Sequence, residues 1–131
     1  MQINDIIKYL EEWAPKAIAW DGDNVGLQVG DRQNEITNIL LSLDFNENVL
    51  KQAIKKKCNL IITHHPFIFT PIKKLNFGSD LQSKLIKELI QNNISLYSAH
   101  TNLDFTKDGV SFELAKTLGL KNIQFLKTQE G

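Results

Sequence analysis

The sequence predicts an α/β fold: a mainly parallel sheet flanked by helices, with a site at the carboxyl ends of the strands. Two observations carry this. From Ile36 onward, short Ile- and Leu-rich runs alternate with stretches of helical period, in the order strand, helix, strand, helix, strand, helix. That alternation implies parallel strands joined by right-handed crossovers. The three runs also end beside groups able to bind or react: Asp44 after the first, His64 and His65 after the second, His100 and Asp104 after the third. In parallel sheets, ligands bind just outside those strand ends.

The elements follow in order. Ile3, Ile6, Ile7 and Leu10 fall at i, i+3, i+4 and i+7, one face of an amphipathic helix that Pro15 limits. Residues 21–24 (Asp-Gly-Asp-Asn) form a loop before a short strand at Leu27–Val29. The run Ile36–Phe45 is apolar enough for a central strand. Asn46 then caps a helix over about Glu47–Lys57 whose Val49, Leu50, Ala53 and Ile54 face inward. Leu60–Thr63 is the next strand, and residues 66–78, with Pro66, Pro71 and Gly78, form a long connection. Ser79 and Gln82 have capping-box spacing before a stripe of Leu81, Leu85, Ile86, Leu89 and Ile90. Asn92-Asn93 stops that helix, and Ile94–Ala99 forms a further strand. Gly109 opens a last helix with Val110, Leu114, Ala115 and Leu118 inward and Gly119 as its stop; Ile123–Leu126 is a candidate short strand.

The totals bound the class. A chain of 131 residues, 42% hydrophobic, is expected to form one domain spanning residues 1–131. Fifteen basic and fifteen acidic residues cancel, which argues against a large basic surface for nucleic acid while leaving room for a local patch. Lys55-Lys56-Lys57 reads as a solvated helix end favoured by the dipole. Cys58 is the only cysteine, so no internal disulfide forms and a reducing cytoplasm is the expected home. The amino terminus lacks the regions of a signal peptide, and no apolar run reaches the roughly 20 residues that a membrane span needs.

Two of the three histidines, His64 and His65, stand where an apolar strand stops. Neutral imidazole is the commonest metal ligand. Adjacent strand residues point to opposite faces, so both rings serve one site only if the strand has ended, and Pro66 helps end it. The competing reading is a pair of rings satisfied by backbone carbonyls. Asp104 adds a hard oxygen suited to a divalent ion beside imidazole; the alternative is a capped, solvated turn. His100 is a candidate metal ligand, proton-transfer group or donor orienting Asp104, with the last two favoured over direct ligation. Asn24 and Asp44 are candidate substrate-binding residues, with a tight turn and a helix cap as their plainer roles.

Taken together, residues 20–31 (WDGDNVGLQVGD), 59–69 (NLIITHHPFIF) and 98–104 (SAHTNLD) resemble the Nif-three-like family, also known as GTP cyclohydrolase type 2 homologues. Gly22 interrupts the family's usual run from tryptophan into Asp-Asn-Val-Gly. The resemblance covers nearly all of this chain but only the amino-terminal part of the family. It implies an α/β protein with a two-metal centre, assembled as a ring-like homo-hexamer, with His64, His65 and Asp104 as metal ligands. The ions would be two divalent cations, with Zn, Mn, Fe, Co and Ni all compatible. A later histidine and glutamate complete the family centre, and no histidine follows His100 here. The expectation is therefore a fragment or shortened relative, or a site finished by another subunit. Metal-dependent hydrolysis of a small molecule is the enzyme reading; a metal-stabilised interaction module, or an inactive fragment, is the alternative.

Overall fold

The structure, a computed structural model, describes residues 1–126. Its centre is a four-stranded sheet in the order β1-β4-β3-β2, built from β1 (Gly26–Val29), β2 (Ile39–Ser42), β3 (Leu60–Thr63) and β4 (Ser95–Ser98). β2, β3 and β4 are parallel in continuous register, while β1 lies antiparallel to β4 with an irregularity between Leu27 and Val29. The sheet is thus mainly parallel, as expected.

α2 (Glu47–Lys55) and α3 (Leu81–Gln91) are the crossovers, and both cover one face of the sheet. Leu50 and Ala53 of α2 meet Leu85 and Leu89 of α3 over Ile61 and Leu96. α1 (Ile3–Trp13) covers the other face, where Ile3 and Ile7 pack on Leu60 and Tyr97. α4 (Thr101–Phe105) and α5 (Val110–Thr117) follow β4. No helix among the described residues is long and apolar enough to cross a membrane.

Five expectations change. β2 is an edge strand, not a central one: Leu41 is 73% exposed because α1 does not reach across to it. The cap of α3 is Asp80, whose carboxylate accepts from the Ser83 backbone N–H at 2.7 Å, so Ser79 is displaced by the stronger, charged acceptor. α5 forms as predicted, yet Val110, Leu114 and Leu118 are exposed, because no element among the described residues packs on that stripe. Residues 123–126 form no strand. The segment after His100, read as a possible turn, is the short helix α4.

Candidate metal centre

β3 ends at Thr63, and the chain turns at once. The Thr63 hydroxyl donates to the His65 carbonyl at 2.9 Å, and the Ser98 hydroxyl donates to the His64 carbonyl at 2.9 Å. The backbone N–H groups of His64 and His65 still reach back to the Ser42 and Leu43 carbonyls. These bonds close the strand within two residues and turn both rings to one side. The ring centroids of His64 and His65 are 5.1 Å apart. His100 arrives from the end of β4, 5.2 Å from His64 and 5.6 Å from His65. One potential ligand atom from each ring lies within 4.8 Å of the other two.

The hydrogen bonds identify those atoms. His64 Nδ1 bonds the Ala99 carbonyl at 2.8 Å, His65 Nδ1 bonds Asp44 Oδ1 at 2.7 Å, and His100 Nδ1 lies 3.0 Å from both oxygens of Asp23. A carbonyl or carboxylate only accepts, so each Nδ1 carries the proton and each Nε2 keeps its lone pair. Three outward anchors therefore leave three inward donor atoms. This is the arrangement in which a carboxylate or carbonyl fixes a metal-binding imidazole. The donor set, three imidazole nitrogens beside a carboxylate, fits a borderline divalent cation.

Asp104 comes from α4, where the Leu103 and Asp104 N–H groups both bond the His100 carbonyl. Its Oδ1 lies 3.4 Å from His64 Nε2, to one side of the three rings. The structure thus brings His64, His65 and His100 together, with Asp104 beside His64. Asp44 stands at the rim, 59% exposed, bonded to His65. Asn24 is less open to a ligand: its amide donates to the Ile68 carbonyl, while Gln28 holds Ile68 N–H at 2.9 Å and the Asn24 carbonyl at 2.8 Å. The loop before β1 and the connection after His65 are stitched together there.

Asp23 was missed by the sequence reading. Its side chain is 3% exposed and accepts from the Thr101 backbone N–H, the Thr101 hydroxyl and His100. Burial is the largest single influence on it and favours the neutral acid. The bonds from Thr101 and His100 together outweigh burial and hold the carboxyl below its usual range. The only sequence signal was a second aspartate in a loop already rich in turn formers.

Comparison with known proteins bears on the family and the fold. The model of the family described as Duf34/NIF3 (NGG1p interacting factor 3) matches residues 1–131. A Clostridium acetobutylicum protein named "GTP cyclohydrolase 1 type 2 homolog" is 42% identical over 126 residues, which is 96% of this chain and 47% of that protein. The solved structure of a Bacillus cereus protein related to NIF3 superposes with a TM-score of 0.91 at 39% identity, covering 98% of this chain and 35% of its own. Staphylococcus aureus protein SA1388 superposes with a TM-score of 0.90 at 41% identity, covering 98% and 41%. The chain therefore spans half or less of the length of these relatives.

Proposed function

The chain belongs to the Duf34/NIF3 family, and from that premise we propose that it holds a divalent metal ion between His64, His65, His100 and Asp104 to support hydrolysis of a small molecule. The observation that carries this reading is that all three Nδ1 atoms are engaged by carbonyl or carboxylate acceptors in a cluster of three close rings, which leaves the Nε2 atoms as the candidate donors. A divalent ion there supplies Lewis acidity and a water of lowered pKa. The chain's own residues do the positioning. Asp23, Asp44 and the Ala99 carbonyl fix each ring's tautomer and tilt. Asp44, exposed at the rim, offers its second oxygen to a polar group of the substrate, whereas the Asn24 amide is spent on the Ile68 carbonyl.

For His100 we favour direct ligation, the less favoured of its expected roles, because its ring clusters with those of His64 and His65. The two-ion centre implied by the family resemblance needs further ligands from outside these residues. Self-association, with the hexamer as the expected form, is supported by the apolar residues left open on β2 and α5. The cytoplasm is the expected compartment.

Elemental analysis of the purified chain tests the ligand set. About one Zn, Mn, Fe, Co or Ni per chain is expected, falling sharply in His64→Ala, His65→Ala, His100→Ala and Asp104→Ala. Unchanged metal in all four variants sinks the assignment. Metal that stabilises the chain with no turnover, across nucleotide and phosphoester panels, leaves the metal site standing and removes the enzyme reading in favour of the interaction module.

A further inference from the structure

The irregularity between β1 and β4 falls on Gln28. Leu27 pairs with Tyr97 and Val29 with Leu96, so two steps along β1 meet one step along β4. In a regular strand, residues two apart share a face. Here Leu27 packs into the cluster under α1, while Val29 packs into the cluster under α2 and α3, on the other face. Gln28 is therefore the extra residue of a β-bulge, a device that re-aims a side chain.

The re-aimed amide spans two segments. Its Oε1 accepts the Ile68 N–H at 2.9 Å, and its Nε2 donates to the Asn24 carbonyl at 2.8 Å and reaches the Ile68 carbonyl at 3.4 Å. Asn24 adds a second tie, because its own amide donates to the Ile68 carbonyl. Each segment governs part of the ring cluster. Asn24 follows Asp23, the anchor of His100, and its backbone N–H donates to Asp23 Oδ1 at 2.8 Å. Ile68 follows closely on His65, and its neighbour Phe67 is already fixed: the Phe45 ring lies 4.8 Å away and Gln82 bonds the Phe67 carbonyl at 3.0 Å. The loop bearing Asp23 has less support. Trp20, Asp21, Gly22 and Asn24 are exposed, and the loop's ties from Trp20 and Asp23 run to Thr101, which moves with His100.

The geometry points to Asn24 and Gln28 as a clasp of positioning residues that sets the distance of the His100 ring from the His64–His65 pair. Its purpose rests on the metal reading of the site, whereas its geometry can be measured without an ion.

NMR of the metal-free whole chain reads that spacing through NOE cross-peaks between the histidine rings. Asn24→Ala with Gln28→Ala removes the clasp. Gln28→Glu keeps an acceptor for the Ile68 N–H but sets a carboxylate against the Asn24 carbonyl, so it breaks one arm alone and serves if the double variant fails to fold. A displacement of about 1 Å spoils a ligand set, and with inverse-sixth-power dependence it weakens both His100 cross-peaks roughly threefold. The His64–His65 cross-peak should hold, and Gln52→Ala, exposed on α2, should leave all three unchanged. Co(II) titration followed by visible absorption should show affinity roughly 10-fold lower in both clasp variants, with altered ligand-field bands. The proposal fails if the His100 cross-peaks keep their wild-type ratio to the His64–His65 cross-peak, or if all three weaken together, as a merely structural role would give. Equal Co(II) affinity in wild type and both variants also overturns it. A wild-type chain that binds no Co(II) removes the metal reading instead, and the cross-peak ratio still decides the clasp.

Discussion

Replacing Asp23 by asparagine should weaken metal binding without touching a ligand. The carboxylate of Asp23 lies 3.0 Å from His100 Nδ1 and accepts from Thr101 twice. An asparagine of the same shape supplies one acceptor oxygen in place of two and carries no charge. Either His100 or Thr101 then faces an amide N–H, and the ring loses its reason to keep the proton on Nδ1. A hydrogen bond to a charged group contributes about 1.5–3 kcal/mol. If most of that falls on the ring's orientation, metal affinity drops by about 10- to 100-fold. Isothermal titration with Zn measures it, with Asp21→Asn, an exposed aspartate in the same loop, as the control. Circular dichroism checks that both variants fold. Metal affinity equal in Asp23→Asn and wild type, with the fold intact, would refute the role given to His100, and with it the claim that outward bonding selects the Nε2 atoms.

Two further outcomes follow from the fold. Gly30 has φ +116°, and a Cβ there would stand 2.1 Å from Ser95 Oγ and 2.7 Å from Ser95 Cα, whereas Gly22 at φ +82° faces open space. Urea unfolding should show Gly30→Ala losing about 3 kcal/mol or more, and Gly22→Ala only about 1 kcal/mol; equal losses would contradict the packing of β1 on β4. Tyr97 is fully buried with no hydrogen-bond partner for its hydroxyl, and burial, aided by Glu11, pushes its pKa up to about 12 from the ordinary 10.0. Its folded form resists ionisation while the unfolded form ionises near 10, so this stabilisation is complete below pH 10 and fades as pH rises towards 12. About 2 kcal/mol should be lost across that window; absorbance titration of Tyr9→Phe, which leaves Tyr97 as the one tyrosine, follows it, and a transition near pH 10 would contradict its burial.

The extent to which the sequence foretold the molecule depended on how local each feature is. β3 was readable to the residue because an apolar run met Thr63 and then Pro66, and α2 was readable because Asn46 caps it. β2 carries the same apolar content as a central strand, and only its neighbours decide that it lies at the edge. The α5 stripe has the right period, but period says which residues share a face, not what covers them. α4 is a helix of five residues in a segment rich in Asn and Asp, too short for any periodicity. At the site, His64, His65 and Asp104 were visible as residue types at strand ends. Asp23 was not, because its role exists only once a loop 77 positions away from His100 folds beside it.

That separation has a kinetic meaning. β1 runs against its neighbour, so it brings the residues before it, rather than those after it, to the edge where the three rings gather. The anchor of His100 is thus made by the earliest strand pairing with the latest, across the longest loop in the sheet. Chain closure over such a distance comes after the local crossovers have formed. A cation meeting the nascent chain would find His64 and His65 near each other long before the third ring is held. Added metal should therefore slow unfolding far more than it speeds refolding.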